Sequence, residues 1–147
     1  MFGVIEMKKK VLFICVHNSA RSQMAEEYLR LLGGDRYEVE SAGFSPTAIN
    51  PLVIEAMREE GIDLSNKKTQ DLYDLIKQSK FFGYVITVCE RAKEMECPVF
   101  PGVPMRIYWD LENPEDFIGT EEEKLEKVKA LRDKIKALVQ EFIEQDI

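Results

Sequence analysis

Cys15, Arg21 and Ser22 are the residues of this chain whose types and spacing could do chemistry at a single point. They stand in "CVHNSARS", residues 15–22, where an apolar run stops and a helical pattern begins. A loop of that length between a strand and a helix can turn the backbone N–H groups of Val16, His17, Asn18, Ser19, Ala20 and Arg21 around one point above the helix N-terminus. That end of a helix carries partial positive charge and unpaired donors, so it suits a tetrahedral dianion. Arg21 adds a planar fork that can hold two oxygens of the same anion. Cys15, at the start of the loop, lies in the same positive field, which favours its thiolate, the nucleophilic form. Ser22 can donate a further hydrogen bond to that sulfur, and Asn18 tolerates the left-handed backbone angles a tight loop needs. His17, the one histidine of the chain, reads as a spacer in the loop rather than an acid or a ligand. C-x5-R alone is a weak pattern; C-x5-R-S between a buried strand and a helix is a strong one.

The elements that must position this loop alternate between strand and helix. "KVLFIC" (10–15) is a continuous apolar run of the kind buried on both faces of a parallel sheet. Residues 22–32 read as a helix stopped by Gly33 and Gly34. "YEVESAG" (37–43) is a second strand, and Pro51 opens a helix that Gly61 ends. "DLYDLIKQ" (71–78) is a third helix, "GYVITVC" (83–89) a third strand and "RIYW" (106–109) a fourth. Thr120 and Glu123 form a T-x-x-E capping box. Beyond them Leu125, Val128, Leu131, Ile135, Leu138, Phe142 and Ile143 repeat at three- and four-residue steps, the core stripe of a long helix. The expected architecture is a three-layer α/β domain around a mostly parallel sheet.

Composition narrows the function classes. The chain has 147 residues, 45% hydrophobic and 32% charged, enough for one domain (1–147) with an extensive core. Acidic residues number 27 against 20 basic, a net charge of −7, which disfavours general nucleic-acid binding and makes any anion site a local one. The apolar run after "MKKK" is too short for a secretory h-region, and no run reaches the length of a membrane span. Met7 is an alternative start, which would leave residues 1–6 as an N-terminal extension. Three cysteines, an odd count, argue against a secreted disulfide framework and for a cytoplasmic setting. One histidine and scattered cysteines cannot assemble a zinc site of usual spacing, so neither metal nor cofactor is expected.

"VLFICVHNSARSQMAE" resembles the phosphate-loop segment of the low-molecular-weight protein tyrosine phosphatase superfamily and, within it, the thioredoxin-coupled arsenate reductases. "SAGFSPTAINPLVIEAM", "GIDLS", "VITVCERA", "ECPVFPG" and "EEEKLEKVKALRDKIK" extend the likeness over nearly the whole chain. The resemblance implies a four-stranded parallel sheet flanked by helices, a monomer, and reduction of arsenate to arsenite. The implied order begins with attack of the Cys15 thiolate on arsenate held by the loop and Arg21. Cys89 then attacks the Cys15 sulfur and expels arsenite, Cys97 attacks Cys89, and thioredoxin or a similar dithiol protein reduces the last bridge. On the residues alone, the alternative is that Cys89 and Cys97 are buried core thiols unrelated to catalysis. Were residues 89–97 helical, their end Cα atoms would lie about 12 Å apart, beyond the roughly 4.4–6.8 Å of a disulfide. The 90–97 segment is therefore expected to unwind or bend during turnover.

One position departs from the family. Its general acid is an aspartate directly before a proline after the fourth strand, and here "YWDLENPED" puts Asn113 before Pro114. An amide cannot give up a proton to a leaving group. Asp110, Glu112 and Asp116 are near enough to substitute, and nothing in the sequence chooses among them. Ala20 also stands where many phosphatases of the superfamily have a second loop cysteine. Both departures favour the reductase over the alternative, a phosphatase hydrolysing phosphotyrosine or other phosphoesters through a phosphocysteine. A third reading, a phosphocysteine carrier without turnover, is opposed by Arg21, which is placed to stabilise an in-line transition state.

Overall fold

Val11 to Cys15 are all buried, and the strand they form is one of the two inner strands of the sheet. The computed structural model describes residues 8–90 and 100–146. In it β1 (Lys9–Cys15), β2 (Tyr37–Gly43), β3 (Tyr84–Cys89) and β4 (Met105–Asp110) make one sheet in the order β2-β1-β3-β4. All three pairings are parallel, so every strand delivers its carboxyl end to the same edge. The helices are α1 (Arg21–Gly33), α2 (Pro51–Glu59), α3 (Leu72–Lys77) and α4 (Glu121–Gln145). Among the described residues no helix is long and apolar enough to cross a membrane.

Strand alternation divides the core in two. Val11, Phe13 and Cys15 of β1, with Ile86 and Val88 of β3, pack under α1, α2 and α4. Leu12, Ile14 and Val85 face the other way, against Leu72 and Leu75 of α3 and Phe100. The four-stranded parallel sheet flanked by helices is thus what the sequence led us to expect.

Helix α1 is unusual in burying polar residues in its first turn: Arg21, Ser22 and Gln23 are all 2% exposed or less. The apolar side chains that follow, Met24, Tyr28 and Leu29, are fully buried. At about 1.5–3 kcal/mol for each large apolar side chain, they hold the helix against the sheet and offset the desolvation of its polar start. Gly34, at φ 59°, ends the helix in a left-handed conformation. At the start of α4 the capping box forms in full: Thr120 Oγ1 accepts from Glu123 N at 3.1 Å, and Glu123 Oε1 accepts from Thr120 N at 3.3 Å. The stripe on α4 departs from expectation at several steps: Leu125 and Ile143 are only partly buried. Val139 is fully buried while Leu138 is only partly so, and Arg132 is drawn into the core because its Nη1 donates to the Ala56 carbonyl at 2.8 Å.

The amino edge of the sheet is tied by one carboxylate. Asp146, the residue that caps α4, accepts from Lys9 Nζ (2.7 Å) and Tyr84 Oη (2.7 Å) on Oδ1 and from Tyr37 Oη (2.6 Å) on Oδ2. Those three donors open β1, β3 and β2. The ring of Phe142, one turn earlier, lies between Tyr37 and Tyr84 at centroid distances of 5.9 and 5.2 Å. Burial alone would raise the Asp146 carboxyl, but the hydrogen bonds from Lys9, Tyr37 and Tyr84 outweigh it and hold it below its ordinary value. A carboxylate depressed in the folded state adds stability above its unfolded value of about 3.9 and loses it as pH falls through the lower folded value. Asp146→Asn should therefore cost about 1–3 kcal/mol at pH 7 by urea unfolding. The gap to the wild type should narrow as pH falls through the lowered folded value; a gap that persists unchanged in acid would contradict this account.

Candidate functional site

The backbone from Cys15 to Ser19 is turned by its own carbonyls. The Cys15, Val16, His17 and Ser19 carbonyl oxygens accept from the amides of Phe44 (3.2 Å), Ser45 (2.7 Å), Thr47 (3.1 Å) and Asn50 (3.0 Å). With these oxygens drawn outward to the 44–50 segment, the loop amides are left to the inner side. One of them, Asn18 N, donates to Cys15 Sγ at 3.2 Å. Asn18 sits at φ 52°, the left-handed angle expected of it. Ala20 precedes α1 with no capping side chain, and the first turn of that helix holds no acidic residue. No side chain therefore neutralises the helix end that faces the loop.

Gly43, the last residue of β2, makes the packing feasible. A Cβ there would meet Asn18 N and His17 C at 2.8 Å and Val16 O at 2.9 Å, all backbone. Any side chain would push the loop away from the strand that shapes it.

Cys15 is 2% exposed, and its sulfur lies 2.8 Å from Ser22 Oγ. The direction of that hydrogen bond follows from the neighbours. Asn18 Nδ2 donates to Ser22 Oγ (2.7 Å) and to Ser41 Oγ (2.9 Å). Each hydroxyl has one proton, so Ser22 is left to donate to the Cys15 sulfur and Ser41 to Glu26 Oε1, at 2.5 Å. Glu26 is 4% exposed and its other oxygen is paired with Lys67 and, at 2.7 Å, with Arg30. Two arms of buried donors thus diverge from the Asn18 side chain, one ending on the neutralised carboxylate through Ser41 and the other on the Cys15 sulfur through Ser22, while the sulfur also accepts from Asn18 N.

Arg21 is 2% exposed and its Nη1 donates to the Leu111 carbonyl at 3.0 Å. Leu111 N in turn donates to the Cys89 carbonyl at 3.3 Å. The guanidinium is thereby carried by the carboxyl ends of β3 and β4. His17 turns outward, its Nδ1–H donating to the Ser45 carbonyl at 3.0 Å. Val16 is half-buried, while Ser19 and Ala20 are buried.

Cys89 is fully buried, ends β3 and is disulfide-bonded, while Cys15 is a free thiol. Cys97 lies outside the described residues, as does most of the 90–97 segment expected to bend. The register of β1 on β3 pairs Ile14 with Thr87, so one further step sets Cys15 beside Val88 and Cys89 one residue beyond. With strands about 4.8 Å apart and a rise of about 3.3 Å, the Cα atoms of Cys15 and Cys89 are about 6 Å apart. That is within the roughly 4.4–6.8 Å of a disulfide. Alternation, however, points Cys15 with Val88 to one face and Cys89 with Thr87 to the other. The two share an edge as expected, but a bridge between them requires the end of β3 to turn.

The loop after β4 carries the three candidate acids. Asp110, Glu112 and Asp116 are all exposed. Asn113, in the position of the family's aspartate, caps the short turn Pro114–Asp116: its Oδ1 accepts from Glu115 N at 3.1 Å, and its own N donates to Glu90 Oε2 at 3.3 Å. Glu115, which the sequence left unremarked, accepts from Asn50 Nδ2 at 3.2 Å and lines a groove of about 700 Å³ beside His17. Gln23, Glu26, Ser41, Lys67 and Gln70 were also missed. The only local sign was a polar pair, Gln23 and Glu26, on the buried side of an amphipathic helix.

Residues 10–146 match the low molecular weight phosphotyrosine protein phosphatase family. An arsenate reductase of Oceanobacillus iheyensis is 40% identical over 129 residues, covering 87% of this chain and 90% of that protein. A solved arsenate reductase in its phosphate-binding state superposes with a TM-score of 0.72 at 28% identity, over 93% of this chain and 98% of that one. A thioredoxin-dependent arsenate reductase of Corynebacterium glutamicum superposes with a TM-score of 0.60 at 32% identity, over 93% of this chain and 64% of that one. The chain belongs to the low molecular weight phosphotyrosine protein phosphatase family. Within that frame, Gly43→Ala should leave the secondary structure in place, cost about 1–3 kcal/mol, and lower affinity for inorganic phosphate at least tenfold. Titration by calorimetry would read it, and unchanged phosphate binding would contradict the shaping role of the 43–50 segment.

Proposed function

We propose that this member of the low molecular weight phosphotyrosine protein phosphatase family reduces arsenate to arsenite with electrons from its own cysteines. The observation that carries the reading is a free Cys15 at the foot of an amide-lined loop, with a second cysteine, Cys89, at the end of the neighbouring strand. The likeness to relatives named arsenate reductase, one of them thioredoxin-dependent, supports it.

The steps balance as follows. The Cys15 thiolate attacks arsenic(V) held by the loop amides and Arg21, forming an S–As bond as one oxygen leaves as water. The Cys89 thiolate attacks the Cys15 sulfur; the S–As electron pair passes to arsenic, and arsenite leaves as arsenic(III). The two electrons come from the two thiols, now a Cys15–Cys89 disulfide. Cys97 attacks Cys89 and displaces the Cys15 thiolate, and an external dithiol protein of the thioredoxin class reduces the resulting Cys89–Cys97 bridge. Ser22 and the Asn18 amide stabilise the thiolate at the start and again when Cys15 is the leaving group. The opposed faces of Cys15 and Cys89 make movement of the β3 end part of the second step.

The competing reading is hydrolysis of a phosphoester through a phosphocysteine. It needs a placed acid to protonate the leaving group, and Asn113, in the position of the family's aspartate, has no proton to give. The reductase reading depends less on such an acid, because the expelled group is a labile oxyanion.

Pre-reduced protein given arsenate, without an external reductant, should release about one arsenite per chain. Mass spectrometry should then find Cys89 joined to Cys97. A Cys97→Ser variant should stop with Cys15 joined to Cys89, and Cys15→Ser should form no arsenite. Three free thiols and no arsenite after incubation would sink the relay.

A further inference from the structure

Gln23 has no part in the steps above, yet its amide is held in an arrangement that costs the fold something. It is fully buried in the first turn of α1. Its Nε2 donates to Asn18 Oδ1 at 2.9 Å and to the Lys68 carbonyl at 3.3 Å. Its Oε1 is the one buried side-chain polar atom among the described residues with no hydrogen-bond partner. Orphaned buried acceptors are uncommon and unfavourable. Turning the amide over would not cure this one, because it would set the oxygen against two other acceptors, Asn18 Oδ1 and Lys68 O. The neighbours therefore dictate that Gln23 keep its donor on Asn18 and leave its acceptor bare.

What this secures is the orientation of Asn18. Its Oδ1 accepts from Gln23 Nε2 and from Gln70 N, the latter at 2.9 Å, while both Nδ2 protons go to Ser22 and Ser41. With the Asn18 amide reversed, its oxygen would face Ser22 and take the hydroxyl proton that now points at the Cys15 sulfur. We propose that Gln23 is a positioning residue for the nucleophile: its donor locks the Asn18 amide so that Ser22 donates to Cys15. The inference rests on Cys15 being the reacting thiol of the proposed function.

The test is the pH profile of Cys15 alkylation by iodoacetamide in the full-length Cys89→Ser/Cys97→Ser protein, where Cys15 is the one thiol left. Gln23→Met keeps the length of the side chain, removes the donor and removes the orphaned acceptor, so its denaturation midpoint should be unchanged or higher. Alkylation should nevertheless fall about tenfold at pH values below both midpoints, with the profile displaced to higher pH by about one unit. The two rates should converge at high pH. Gln23→Glu, which is isosteric and cannot donate when ionised, should displace the profile in the same direction and serves if the methionine variant does not fold. A profile that superposes on the parent's, or a rate lowered equally at every pH, would overturn the proposal. The readout uses no arsenate, so a displaced profile together with absent arsenite formation would retain the role of Gln23 and reject the reductase reading alone.

Discussion

Four carbonyl oxygens turned outward are the constraint on which this molecule depends. A loop of five or six residues cannot offer its amides to an anion unless its carbonyls have partners elsewhere, and here the 44–50 segment supplies them one after another. That segment can lie so close only because Gly43 has no side chain, and Gly43 is at the loop because β2 runs parallel beside β1, pairing Cys15 with Gly43 itself. The chemistry at the sulfur is thus a consequence of strand register.

The second layer is an ordered set of hydrogen bonds behind the loop. Lys67 and Arg30 neutralise Glu26, Glu26 takes the Ser41 proton, and Asn18 spends both of its amide protons on Ser41 and Ser22. Glu26, Ser41, Asn18 and Ser22 are buried, and in a low-dielectric interior such a set is stable only when its polarity is consistent from end to end. Its consistency leaves the Ser22 proton facing Cys15. The single inconsistency, Gln23 Oε1, falls beside the residue whose orientation decides that polarity. The far edge of the sheet shows the same economy: one carboxylate, Asp146, gathers the starts of three strands.

Much of this was legible in the sequence, for local reasons. The apolar runs of β1 and β3, the Gly33–Gly34 stop, Pro51 and the T-x-x-E box each act within a few residues, and each forms where the sequence put it. Cys15, Asn18, Arg21 and Ser22 were readable because they stand together within eight consecutive residues. Glu26, Ser41, Lys67 and Gln70 were not, because nothing local ties them: they meet only after α1 folds back on the sheet and the 67–70 segment crosses its edge. The same holds for Asp146, whose partners lie 62 to 137 residues away. The opposed faces of Cys15 and Cys89 were hidden for a different reason. A shared sheet edge follows from topology, but which side each sulfur takes needs the register, and a one-residue step reverses it.

The account makes Cys15 act as half of a redox pair, not as a hydrolytic nucleophile sufficient by itself. The most direct test is to assay arsenite formation and aryl-phosphate hydrolysis side by side, with a thioredoxin-class reductant present, in the wild type and in Cys89→Ser. The account predicts sustained arsenite formation in the wild type, its loss in Cys89→Ser, and little hydrolysis in either. Hydrolysis that is brisk in both proteins, with no arsenite from the wild type, would contradict it and return the site to phosphoester chemistry.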